Sequence, residues 1–153
     1  MNTQLLSPAE AALKALGISC QSASRFYETA TTLTRDEWRD FAMRRQLIYG
    51  EAAQHISDLL LHSDQTLPGS PDEDAEWLKE IALRAHATFS RDERNVMLKN
   101  FTRTEHAIWQ ALGELGLAGP PPEAKQIITS LGQMVMEGFY WLGKEKEALL
   151  AQE

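Results

Sequence analysis

Apolar residues recur at steps of three and four along most of this chain, the period of a helix that buries one face. Leu13, Leu16, Cys20, Ala23, Tyr27 and Ala30 form the first such stripe. Ser7 precedes it as an N-cap, with Pro8 at the first helical position and Glu10 at capping-box distance. The Thr-rich stretch 29–34 closes that helix, and Thr34 with Glu37 predicts a second capping box. Trp38, Phe41, Arg45, Ile48, Ala52, His55 and Leu59 are the expected inner stripe of the second helix, with two polar residues on it. Ser90 and Glu93 open a third helix carrying Leu98, Phe101, Glu105, Ile108, Leu112 and Leu115. It is expected to stop at Gly116, before the turn Gly119-Pro120-Pro121-Pro122. Ile128, Leu131, Val135, Gly138, Leu142 and Leu149 mark the fourth. Nothing alternates with period two, so no sheet is predicted.

The connections set the topology. Short turns make the first and second helices antiparallel, and likewise the third and fourth. The stretch 64–89 is longer. Leu67-Pro68-Gly69-Ser70-Pro71 marks a loop, and a short helix over about Pro71–Ala87 follows it. About 16 helical residues span roughly 24 Å, enough to return the chain along the bundle. The second and third helices should therefore run parallel. The expected fold is all-α: one ferritin-like four-helix bundle over residues 1–153, with a long crossover that carries a short extra helix.

Composition fits a single globule. The chain has 153 residues, 43% hydrophobic and 24% charged. Its net charge of −7 argues against a nucleic-acid partner, which needs a basic surface. Arg39, Arg44 and Arg45 cluster, but Asp36, Glu37 and Asp40 surround them, as on a salt-bridged helix face. No apolar run approaches the roughly 20 residues of a membrane span, so no membrane partner is expected. One cysteine, Cys20, rules out an internal disulfide. With no basic-then-apolar leader, the cytoplasm is the expected location.

Bundles of this layout place metal sites on facing helices. A di-iron site takes a Glu from each of two helices and Glu-x-x-His from each of the others. Here Glu51 and His55 are four apart rather than three, and Glu137 is followed by Tyr140 rather than His. Neither Glu-x-x-His is present. Counting levels along the bundle puts Glu51 and Glu137 about 5–6 Å in height from Glu105, and His55 about 10 Å away. The first helix offers Gln21 and Cys20 at that level, and no acid. Two readings follow. In one, Arg45 and Glu105 form a buried ion pair, the simpler account of both. In the other, Glu51, Glu105 and Glu137 form an incomplete carboxylate site for iron or manganese. His55 reads as a hydrogen-bonded core histidine, and His106 lies beside the stripe. His62 and His86 fall near helix ends. Tyr27, Tyr49, Tyr140, Trp109 and Trp141 read as core or interface aromatics, and Cys20 as a packed thiol.

Leu13-Lys14-Ala15-Leu16, Phe26-Tyr27-Glu28-Thr29-Ala30, Gly69-Ser70, Thr102-Arg103-Thr104-Glu105 and Pro121-Pro122-Glu123 occur in that order. As an ordered set they resemble a bacterial ferritin-like four-helix family catalogued as a domain of unknown function. The resemblance covers nearly the whole chain. Members often carry an acid where Gln21 and Thr102 stand here, and keep the Arg103 and Glu105 types. The fourth-helix histidine common in that family is absent near Tyr140-Trp141. The resemblance implies a fold and no reaction.

No catalytic constellation emerges. The expected role is non-enzymatic, through self-association as a homodimer or through a protein partner, because four Trp and five Phe exceed what one small core needs. No cofactor is expected on this reading. The alternative is a metal-binding protein of the same fold, and an apolar ligand between helices is a third reading.

Overall fold

The computed structural model describes residues 7–61 and 89–152. The expected crossover helix, the Gly69-Ser70 loop, His62 and His86 lie outside them. Among the described residues, four long helices make an all-α bundle: α1 (Pro8–Leu33), α2 (Asp36–Leu61), α3 (Arg91–Ala118) and α4 (Lys125–Ala151). A 3-10 turn, Pro122–Ala124, leads into α4. No strand occurs among the described residues. None of the described helices is long and apolar enough to cross a membrane.

Local chemistry accounts for most helix ends. Ser7 Oγ accepts from the Glu10 N–H at 3.1 Å, with Pro8 where a missing N–H costs nothing. Ser90 Oγ likewise accepts from the Glu93 N–H, and its hydroxyl donates back to Glu93 Oε1 at 3.0 Å. The α1–α2 turn departs from expectation. Thr34 does not cap α2. It is buried, and its hydroxyl donates to the Ala30 carbonyl of α1 at 2.7 Å. The Arg35 carbonyl instead takes the first N–H groups of α2, from Trp38 and Arg39. This tight turn puts Asp36 at φ 50°, a left-handed backbone that Asp tolerates better than most residues. The third helix also runs past Gly116 to Ala118, and Gly119 at φ 82° ends it. A left-handed glycine is the usual terminator, and Gly116 has no such geometry.

Contacts fix the directions. Ser24 of α1 donates to the Gln46 carbonyl of α2, and Arg39 of α2 reaches back to the Thr31 carbonyl, so the first pair is antiparallel. Arg91 of α3 donates to the Leu149 carbonyl, and Trp109 touches Phe139, so the second pair is too. Trp38 meets Phe101 while Arg45 meets Glu105, so α2 and α3 advance in the same direction. Around the bundle α1 adjoins α2 and α3, and α4 adjoins α3 and, along a sparser seam, α2.

The stripes of α1 and α3 are buried as the periodicity predicts. That of α2 is not. Beyond Arg45 the buried line is Tyr49, Ala53, Ile56 and Leu60, one position on from Ile48, Ala52, His55 and Leu59. The turn by one residue places His55 at the surface. It brings Tyr49 and Ile56 to full burial. An aromatic cluster of Phe26, Tyr27, Trp38, Phe41, Phe101 and Trp141 fills the neighbouring layer, with Phe41 stacked between Phe101 and Trp141.

Candidate functional site

A carboxylate stands in the middle of this core. Glu105 has no exposed surface. A buried carboxylate is costly unless its oxygens are satisfied, and three donors satisfy it. Tyr27 of α1 donates to Oε2 at 2.7 Å. Tyr49 of α2 donates to Oε1 at 2.7 Å, and Arg45 Nε to the same oxygen at 3.0 Å. The short hydroxyl distances are those of charge-assisted bonds.

Arg45 is held as fully as its partner. It is 3% exposed. Its Nη2 donates to the Met134 carbonyl of α4 at 2.9 Å. Its Cζ lies 3.7 Å from the centroid of the Phe41 ring, a cation–π contact in a water-poor setting. The Met134 carbonyl precedes Gly138 by four residues, one helical turn. A Cβ on Gly138 would lie 2.6 Å from both Arg45 Nη2 and Glu105 Oε1. Glycine there lets α4 close over the ion pair, and the network thereby joins all four helices.

Burial and charge set the protonation states. Burial holds the Glu105 carboxyl above its ordinary range, and Arg45, Tyr49 and Tyr27 offset only part of that rise. All three hydrogen bonds are donated to it, the pattern of an ionised carboxylate balanced by a guanidinium. Burial, then the Glu105 charge, pushes both tyrosine hydroxyls well above their usual value. The same two causes push the Cys20 thiol up to about 12. A thiol so placed is neutral at pH 7 and inert as a nucleophile.

No known family, curated protein or solved structure matches the chain.

The residues singled out from the sequence separate into two groups. Arg45 and Glu105 are in direct contact in the core. Glu51 and Glu137 are exposed and do not converge on Glu105. The cause is rotation about the helix axis. Counting levels measures height alone, and both side chains leave their helices on the outer face. Glu137 lies 3.4 Å from Arg44 in an exposed bridge, worth at most about 1 kcal/mol. Glu51 and His55 share a shallow depression with Gln126 and Ser130. Gln21 faces another, between α1 and α2. Among the described residues no three His, Cys, Asp or Glu side chains are grouped to hold a metal ion. The Glu105 layer does not fit a hard dication: its oxygens are taken by three donors, and a guanidinium occupies the cation's position. The three arginines also depart from the salt-bridged face expected of them. Arg44 pairs with Glu137, Arg45 with Glu105, and Arg39 with a backbone carbonyl.

Tyr49 and Gly138 carry roles that the pattern did not assign. Tyr49 follows Arg45 by four residues, so the two project from one helix face, and that spacing was the available signal. Gly138 was visible as a stripe position occupied by the smallest residue.

Proposed function

We propose that this protein is a ferritin-like bundle without catalysis, in which an internal Arg–Glu–Tyr network stands at the level where such bundles carry metal, and that it works by association with a second copy of itself. The parallel run of α2 and α3 supports the ferritin-like connection. The association rests on one observation: large apolar side chains stand on the outer face shared by α3 and α4. Trp109 is 44% exposed and Met136 55% exposed. Gly113 and Gly132 flank them, and a Cβ at either would meet nothing within 4 Å. Residues 106, 109 and 113 of α3 and 132, 136 and 139 of α4 recur at helical steps, so each set forms one row. Trp is the residue type most enriched at interface anchors, and glycine beside it lets a second backbone approach.

Sedimentation velocity at micromolar concentration tests the reading. A species of twice 17.2 kDa is expected, converted to monomer by Trp109→Glu combined with Met136→Glu. A strict monomer at tens of micromolar, or a dimer indifferent to both substitutions, would refute it.

A further inference from the structure

Farther along the same helix pair, toward the start of α3 and the end of α4, the surface opens into a groove of about 490 Å³. That is the size of a small-molecule site. Leu98, Phe139, Leu142 and Leu149 form its floor. Gly143 stands in its wall, and a Cβ there would meet nothing within 4 Å.

The charge around this groove runs against the rest of the molecule. The chain carries 22 acids against 15 Lys and Arg. The groove is lined by Arg91, Lys99 and Lys146 and by no acid among the described residues. Arg91 closes one end through its bond to the Leu149 carbonyl. Lys99 and Lys146 are exposed, and neither is ion-paired among the described residues. The Arg91–Leu149, Glu105–Gly138 and Trp109–Phe139 approaches bracket the register of α3 against α4. Across that bracket Lys146 stands within five residues of the level of Lys99, at most about 8 Å. Two lysine side chains can close that separation onto one anion.

We propose that this groove binds a single-chain fatty carboxylate, its hydrocarbon on the Leu98–Phe139–Leu142–Leu149 floor and its headgroup between Lys99 and Lys146. An apolar floor alone would accept any hydrocarbon, and the cations select the acid from the alcohol. The groove shares Phe139 with the row of the proposed dimer face, but its cations and the rest of its floor lie beyond the anchors Trp109 and Met136, so the proposal does not require the dimer.

Titration of the full-length protein with the fluorescent polyene cis-parinaric acid tests it, with dodecanoate, dodecan-1-ol and dodecylammonium as competitors. Saturable binding of one probe per chain is expected, displaced by dodecanoate and at least tenfold less well by the alcohol or the ammonium. Lys99→Glu with Lys146→Glu should weaken the probe at least tenfold. Gly143→Leu should fill the groove and abolish binding, while an unchanged circular dichroism melt shows the fold intact. Three results would overturn the proposal: no saturable binding, equal competition by alcohol and carboxylate, or full binding in Gly143→Leu. Co-sedimentation with anionic phospholipid vesicles without binding of free dodecanoate would also overturn it, by assigning the cations to a membrane surface. Repeating the titration on Trp109→Glu/Met136→Glu separates failure of the groove from failure of the dimer.

Discussion

Gly138→Ala is the sharpest single perturbation of this core, because two rules give it opposite signs. On helix propensity alone it stabilises, since glycine inside a helix costs about 0.8–1 kcal/mol relative to alanine. The added methyl, however, would lie 2.6 Å from Arg45 Nη2, 2.6 Å from Glu105 Oε1 and 3.2 Å from Arg45 Cζ. Unstrained heavy-atom contacts need roughly 3.5 Å, so the ion pair or α4 must withdraw by about 1 Å. Overpacking of this kind costs about 1–3 kcal/mol. Withdrawal also stretches the 2.9 Å bond from Arg45 to the Met134 carbonyl, and a charged hydrogen bond is worth about 1.5–3 kcal/mol. After the propensity gain is subtracted, the net loss is about 2–5 kcal/mol. For a chain of this size that lowers Tm by roughly 5–15 °C. Urea unfolding of Gly138→Ala beside Gly143→Ala measures it. Gly143 lies in the same helix, outside the proposed dimer row, with nothing within 4 Å of its Cβ position, so its midpoint should rise. If both substitutions raise the midpoint, the claim that glycine admits the ion pair is wrong.

Three further outcomes follow from the same network. Arg45→Met leaves the Glu105 charge buried without its partner and should cost about 3–5 kcal/mol near pH 7. An acid whose folded pKa exceeds its unfolded value loses stability as pH rises between the two. Burial already places Glu105 on that side, and removing Arg45 widens the window upward, so Arg45→Met should be more stable near pH 5 than near pH 7 in denaturant titrations. A variant insensitive to pH over that range would contradict the assignment. Tyr27→Phe and Tyr49→Phe each remove one donor to the carboxylate and should cost about 1.5–3 kcal/mol apiece. In a Glu105→Gln background those costs should shrink, and a double-mutant cycle showing no coupling would deny the bonds their role. Finally, Cys20 keeps its proton in the fold to about pH 12, against 9.0 unperturbed. The unfolded chain loses that proton first, so stability should fall as pH rises through this window, by on the order of 4 kcal/mol over its whole span. Cys20→Ala should show a shallower alkaline slope, and the native thiol should resist Ellman's reagent at pH 8.

Much of the helical architecture was legible from periodicity, and the reasons it failed in places are physical. The α1 and α3 stripes each had one apolar line to choose. In α2 two lines competed after Arg45: Ile48–Ala52–His55–Leu59, and Tyr49–Ala53–Ile56–Leu60. Local pattern does not separate them, because both carry large apolar residues. The second line buries an isoleucine rather than a histidine, and it delivers a hydroxyl to Glu105 on another helix. Thr34 misled for a similar reason, since a threonine before an acid can cap the following helix or bond back into the preceding one. Arg45 and Glu105 were conspicuous as polar residues on apolar lines. The tyrosines were not, because an aromatic ring on a stripe needs no explanation until its hydroxyl meets an acceptor. Glu51 and Glu137 were misplaced by reasoning in height alone, where the angle about each helix axis decides.

The wide spacing of the network along the chain has a kinetic consequence. Tyr27 is 78 positions from Glu105, Tyr49 is 56 and Arg45 is 60, while Arg45 is 89 from Met134. The α1–α2 hairpin, by contrast, closes across two residues. Contacts of such sequence separation close after local ones, so the carboxylate gathers its donors only once the two hairpins have docked. Interactions formed after the rate-limiting step leave folding speed alone and slow escape from the native state. Glu105 and its donors would then act as a latch, setting how long a folded molecule persists before it opens.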